Sequence, residues 1–190
     1  MKWGPLRRGP HTPRGLRRSE FGFAREAVAA SLFALVGCAV SDAAAPAFDV
    51  TVKTVVDGDT LRVNGLPEGS GLVRLIGINA PETGAGRTTR ECFGPEARRW
   101  LADRVAAGSR IRLVPDVGER DRFGRRLAYA YAADGGFLNA ELVANGFATT
   151  MTIRPNTRHA KELHDLERQA RAQGRGFWSA CPAEASAHRR

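Results

Sequence analysis

From Phe48 onward, apolar and polar residues alternate as in a strand with one buried face: Val50, Val52, Thr54 and Val56 fall on one side. Asp57-Gly58-Asp59 makes a turn, and Leu61 and Val63 alternate in a second strand. Asn64-Gly65 is a hairpin signal, lengthened into a loop over residues 66–71. Residues 73–78 read as a third strand, with Arg74 on the face opposite Val73 and Leu75. Residues 110–114 and 127–131 add two more strands, separated by a charged, glycine-containing loop. In three places the period lengthens to that of a helix. Gly94-Pro95-Glu96 opens the first, where Pro suits the initial position and Glu complements the N-terminal dipole. Ala97, Trp100, Leu101 and Val105 form its buried stripe, with Gly108 past its end. Asp134-Gly135 turns the chain into a short second helix carrying Leu138, Leu142 and Val143, with Gly146 beyond it. A third spans residues 157–173, with Leu163, Leu166 and Ala170 on one side; Phe177-Trp178 then folds the tail back. Five short strands and three helices predict an α+β fold, and such a strand set can close into an OB-fold β-barrel.

The N-terminal stretch follows a different pattern. Residues 1–26 are rich in Arg, Pro and Gly, and residues 27–37 are an uncharged apolar run. A membrane-spanning helix needs roughly 20 apolar residues, so the run is too short and reads as a secretory signal. The expected organisation is a signal peptide at 1–38, a linker at 39–47, the barrel domain at 48–180 and a polar tail at 181–190. Leu35-Val36-Gly37-Cys38 resembles the lipobox of bacterial lipoproteins, in which the cysteine becomes the lipidated N-terminus and attaches the protein to a membrane. Cleavage within the small residues 43–47 and retention as an uncleaved anchor are the alternatives. Arg17-Arg18 hints at a twin-arginine signal, which Ser19-Glu20-Phe21 fits poorly. Either way the chain is expected to be exported, to the bacterial cell envelope as a lipoprotein or into the medium.

Lys and Arg number 29 against 20 Asp and Glu, a net charge of +9. Part of the excess lies in the leader, but the remainder is still basic. A basic domain favours polyanionic partners through long-range attraction and counterion release, although solubility alone fits the same charge. Of three cysteines, Cys92 and Cys181 remain as an even pair if Cys38 takes lipid. A disulfide and two free thiols are the competing readings. Without Cys-x-x-Cys spacing or clustered histidines, no zinc site is expected.

Three polar clusters interrupt the apolar strands. Asp57-Gly58-Asp59-Thr60 gathers carboxylates around a glycine turn, oxygen donors for a hard cation such as Ca²⁺, though turn chemistry alone explains these residues too. Arg74 and Asn79-Ala80-Pro81-Glu82 offer a cation and a carboxylate in a proline-fixed loop, either a general base or a solvated turn residue. Asp121-Arg122-Phe123-Gly124-Arg125 brings guanidinium groups to the fifth strand, suited to phosphate or simply to solvent. Together they supply what phosphodiester hydrolysis requires: neutralised phosphate, activated water, and stabilised charge on pentavalent phosphorus.

The stretches Val55-Val-Asp-Gly-Asp-Thr60, Val73-Arg-Leu-Ile-Gly-Ile-Asn-Ala-Pro-Glu82, Phe93-Gly-Pro-Glu-Ala97, Asp121-Arg-Phe-Gly-Arg125 with Leu127-Ala-Tyr129, and Phe177-Trp-Ser179 resemble the thermonuclease (staphylococcal nuclease) family in family order. The resemblance implies an OB-fold, one Ca²⁺, and endonucleolytic hydrolysis of DNA and RNA. Asp59 corresponds to the main calcium carboxylate, beside the Ala80 backbone carbonyl and Asn79, with Asp57 behind these ligands. Glu82 corresponds to the proposed general base, and Arg74 and Arg125 to the arginines that grip the phosphate. Arg122 keeps the charge of a family lysine, and Phe123 lacks the hydroxyl of a family tyrosine. Two further departures stand out. Asn79 stands where the family has an aspartate, so calcium is expected to bind more weakly. Residues 149–154 lack the tyrosines that pack on the terminal nucleotide, leaving Arg154 to touch phosphate or sugar. The rival expectation is a non-catalytic OB-fold module of the cell envelope that binds nucleic acid or protein; such modules usually lack this carboxylate and arginine set. No obligate protein partner is evident, and a monomer is expected.

Overall fold

Alternation of β-branched residues around tight turns builds a closed barrel, seen in a computed structural model that describes residues 46–84 and 89–181. The leader with Cys38 and the end of the polar tail lie outside the described residues. The barrel strands are β1 (Phe48–Asp57), β2 (Thr60–Asn64), β3 (Leu72–Leu75), β5 (Arg110–Val114) and β6 (Arg126–Ala132). They close in the order β1-β2-β3-β6-β5, antiparallel except for the β3–β6 pair. The five-stranded barrel and α+β class follow the sequence expectation.

Two strands depart from simple alternation. β1 shifts register against β2 between Val52 and Thr54, so Thr54 and Val56 turn outward while Val55 is buried. A bulge inserts one residue and reverses the faces beyond it, which overturns the predicted single face for Val50 to Val56. The predicted strand over 73–78 breaks after Leu75. Gly77 has φ 79°, a left-handed conformation that glycine adopts freely, and a Cβ there would press on Leu163. Buried Asn139 fixes the bend: its amide donates to the Ile76 carbonyl (2.8 Å) and its oxygen accepts the Ala130 N–H (3.0 Å). Beyond the bend, β4 (Gly77–Asn79) leaves the barrel and pairs antiparallel with β7 (Thr149–Met151).

The helices are α1 (Gly94–Arg104), α2 (Leu138–Ala144), α3 (Ala160–Ala172) and a short α4 (Phe177–Ala180). The third begins later than predicted because residues 157–159 form a separate turn, closed by the Ala160 N–H on the Thr157 carbonyl (3.0 Å), after buried Asn156, which is bonded to both main-chain groups of Gly118. Phe177 does return to the core, in a fourth helix the periodicity did not reveal. Leu61, Val73, Leu75, Leu101, Leu113 and Leu142 form the fully buried centre. A disulfide joins Cys92, before α1, to Cys181, after α4. Among the described residues, no helix is long and apolar enough to cross a membrane.

Candidate active site

The tight turn between β1 and β2 lies flat against α1 because residue 58 has no side chain. A Cβ on Gly58 would come within 2.6 Å of the Ala80 Cβ and 2.9 Å of the Ala97 Cβ. That contact brings Asp59 to the segment leaving β4. Asp59 is 7% exposed, and buried carboxylate oxygens require partners. Its Oδ2 accepts the Ala80 N–H (2.8 Å) and pairs with Arg74 Nη2 (3.0 Å), while Oδ1 accepts the Thr60 hydroxyl (3.0 Å). Arg74, equally buried, donates Nη2 to Asn79 Oδ1 (3.1 Å) and Nη1 to the Leu75 carbonyl (3.0 Å). The bend at Gly77 is what brings Asn79 and Ala80 back to this turn.

Glu82 stands beside Asp57, and their carboxyl groups share a hydrogen bond. Burial first, then Asp57, then the charges of Asp59 and Glu91, push the Glu82 carboxyl up to about 7. Burial also raises Asp57, against the Gly58 amide that stabilises its charged form, and Asp59 adds to the rise. The Glu82 N–H donates to Glu91 Oε2 (3.1 Å) and its carbonyl accepts the Glu91 N–H (2.9 Å).

Carboxylates that oppose one another's ionisation are a place where a cation relieves repulsion. The donors are all oxygen, which fits a hard dication. Among the described residues, no three of His, Cys, Asp and Glu form a ready-made cage. A cation here would therefore rely on few carboxylates supplemented by amide and backbone oxygens. Arg74 presently holds two of those donors, Asp59 Oδ2 and Asn79 Oδ1.

Arg74, though buried, also borders a cleft. With Arg122, Arg125 and Arg154 it lines this cleft of about 540 Å³, whose rim carries Phe123 and Ile153. Asp121 organises one wall. Its Oδ1 accepts the N–H groups of Phe123 (2.9 Å) and Arg125 (3.0 Å), and its Oδ2 takes Arg125 Nε (2.6 Å). Burial pushes Asp121 up, but the bonds from Arg125 and the two amides outweigh it and hold the carboxyl below its ordinary value. Phe123 is 68% exposed, with the guanidinium carbons of Arg122 and Arg125 at 4.7 and 5.5 Å from its ring centre. Met151, Ile153 and Arg154, at and beyond the end of β7, also line the cleft.

The candidate residues thus fall into two groups. Asp57, Asp59, Asn79, Ala80 and Glu82 form an acidic cluster; Arg122, Arg125 and Arg154 line a basic cleft; Arg74 belongs to both. Cys92 and Cys181 are paired apart from them. Sequence reasoning missed Glu91, which lies nine positions from the residue it holds and carries no local signal. It also missed the organising role of Asp121, although an aspartate two residues before a turn amide is a readable pattern.

The profile of the family described as Staphylococcal nuclease homologue matches residues 72–180. The thermonuclease of Staphylococcus hyicus is 33% identical over 128 residues, covering 67% of this chain and 74% of that protein. The SPbeta prophage-derived endonuclease YokF of Bacillus subtilis is 33% identical over 135 residues, 69% of this chain and 44% of its own length. Endonuclease YncB of the same bacterium is 30% identical over 135 residues, covering 69% and 62%.

Proposed function

This chain belongs to the staphylococcal nuclease family, and from that premise we propose that it is an exported, Ca²⁺-dependent endonuclease acting on DNA, RNA or both. The family makes it a phosphodiester hydrolase with a nucleic acid substrate. The observation that carries the finer reading is the double placement of Arg74, bonded to Asp59 and Asn79 on one side and lining the arginine cleft on the other. A phosphate bound in that cleft lies against the acidic cluster.

Asp59, Asn79 through its side-chain oxygen and the Ala80 carbonyl would hold Ca²⁺, with Asp57 behind them. When bound, the ion supplies positive charge that neutralises phosphate and acidifies water. Glu82 accepts the proton of the water that attacks phosphorus in line, and its acidic neighbours strengthen it as a base. Arg74 and Arg125 stabilise charge gathering on the phosphoryl oxygens, Arg125 being aimed by Asp121. Arg122 and Arg154 hold adjoining phosphates. A single chain supplies every one of these groups, so the proposed chemistry calls for no partner subunit.

Digestion of single-stranded DNA, duplex DNA and RNA by the mature protein, with Ca²⁺ and then with chelator, tests this reading. Cleavage that chelator abolishes and Glu82→Gln reduces about 100-fold is expected. Binding without cutting, or equal cutting in chelator, would refute it. Export rests on the leader pattern and on the Cys92–Cys181 bridge, since such bridges persist in oxidising compartments. Mass spectrometry of the mature N-terminus distinguishes a lipidated Cys38 from cleavage further on.

A further inference from the structure

Glu82 lies in no helix or strand, so something else must fix it. Two hydrogen bonds clasp its main chain to Glu91: the Glu82 N–H on the side-chain Oε2 of Glu91 and the Glu91 N–H on the Glu82 carbonyl. The Glu91 carbonyl in turn accepts the Gly94 N–H (3.2 Å) at the start of α1. Gly94 has no room for a Cβ, because the Glu82 carbonyl oxygen occupies that space. Glu82 is therefore pressed onto the helix start through a turn made by residues 91–94.

That turn is strained. Phe93 has φ 72°, a left-handed conformation unfavourable for an aromatic residue, and it is the one non-glycine with positive φ among the described residues. Such a conformation persists only where surrounding structure imposes it. On one side the Phe93 ring stacks on Phe147 at 5.5 Å. On the other, Cys92 is covalently joined to Cys181, 89 positions later. Cys181 is anchored: its N–H donates to the carbonyl of buried Phe177, whose own N–H donates to the Gly146 carbonyl beyond α2.

We propose that the Cys92–Cys181 bridge is a positioning element of the active site: it holds the Phe93 turn and, through Glu91, keeps Glu82 facing Asp57 and Asp59. This rests on Glu82 acting as the base. Without the bridge the turn relaxes, the clasp loosens and turnover falls while the arginine cleft, formed by other segments, still binds nucleic acid. A chain not yet oxidised is thereby a poor nuclease, and full activity appears only where disulfides form.

The test compares the oxidised protein with Cys92→Ser/Cys181→Ser at a temperature where both give the same far-ultraviolet circular dichroism. A kcat lowered about tenfold or more with KM changed less than twofold is expected. In chelator, the Glu91 amide hydrogen should exchange faster in the serine pair than in the bridged protein. The same cysteine changes in a Glu82→Gln background should leave the residual rate within about twofold, because a misplaced glutamine has no base function to lose. An equal proportional loss in both backgrounds, or an unchanged kcat in the first, overturns the proposal. A fully active Glu82→Gln would instead sink the assignment of the base. Should the serine pair not fold, Glu91→Ala in the bridged protein carries the test. Loss of kcat there, restored by Glu91→Gln, which keeps the acceptor for the Glu82 amide, is expected; an unchanged kcat in Glu91→Ala overturns the clasp and the role of the bridge with it.

Discussion

Asn79→Asp adds a negative charge in the middle of the candidate calcium site, and the structure sets its effect as a competition. Asn79 Oδ1 accepts Arg74 Nη2 at 3.1 Å, and the same nitrogen lies 3.0 Å from Asp59 Oδ2. A carboxylate at position 79 strengthens the hold of Arg74, which opposes the metal. It also attracts a dication, which carries twice the charge of the guanidinium. At equal separation the difference is one unit charge, about 1 kcal/mol at roughly 4 Å in water-like surroundings, with about 4 kcal/mol as the value at a permittivity near 20. Repulsion of the new carboxylate by Asp57, Asp59 and Glu82 acts in the same direction, because a bound cation relieves it. The lower figure corresponds to about a fivefold decrease in the Ca²⁺ concentration giving half-maximal activity. The maximal rate need not change, since no group that moves a proton has been altered. Cleavage of a labelled single-stranded oligonucleotide across a range of free Ca²⁺, at fixed ionic strength, measures the midpoint. Calorimetry without substrate measures binding directly. An unchanged or raised midpoint in Asn79→Asp would show that Arg74 absorbs the added charge and that position 79 does not govern metal affinity.

Three further outcomes are expected. Glu82→Gln and Arg125→Ala should each lower kcat at least about 100-fold with thermal midpoints close to wild type, whereas Arg74→Ala should lose activity and also about 3 kcal/mol of stability by stranding buried Asp59; initial rates beside thermal melts check this, and near-normal cleavage by the first two variants would refute the mechanism. Gly58→Ala should destabilise the fold by about 1–3 kcal/mol, because its Cβ overlaps Ala80 and Ala97; a denaturant midpoint like wild type would mean that the turn shifts freely. In chelator, Glu82 disfavours its charged form, so its contribution to stability is complete below its ordinary 4.5 and is lost as the pH rises through about 7. Wild type should accordingly lose stability relative to Glu82→Gln across that window, and parallel stability profiles would contradict the assignment.

Features created by neighbours along the chain were readable from residue order. The barrel strands, the start of α1, the turn at Asp57-Gly58-Asp59 and the loop at residues 121–125 all rest on periodicity or turn chemistry that acts over a few residues. So does the separation of charged candidates from the apolar stripes. Features that depend on which strand lies beside which were not readable. The bulge in β1 exists because its pairing with β2 shifts register, and nothing within β1 signals where. The break at Gly77 exists because Asn139, more than sixty positions away, takes the Ile76 carbonyl into the core. A strand read as continuous therefore leaves the barrel, and that departure carries Asn79 and Ala80 to Asp59.

The same division holds in the site. Residue order supplies Arg74 as a cation opposite two apolar positions; barrel closure decides that its guanidinium holds Asp59 and Asn79 while the residue lines the same cleft as Arg125. Residue order supplies Cys92 as one of two cysteines open to pairing, Phe93 as the start of a family-like stretch and Glu91 with no signal at all; the return of the C-terminal segment to the body of the protein makes them the brace of Glu82. Backbone geometry repeats every two or 3.6 residues and so leaves its trace in local order. A hydrogen bond between residues 9 or 63 positions apart leaves none, because only the packing of the whole chain brings its two ends together. The Cys92–Cys181 bridge, 89 positions long, was legible as one of two readings, since a cysteine count names candidates for pairing but not their approach.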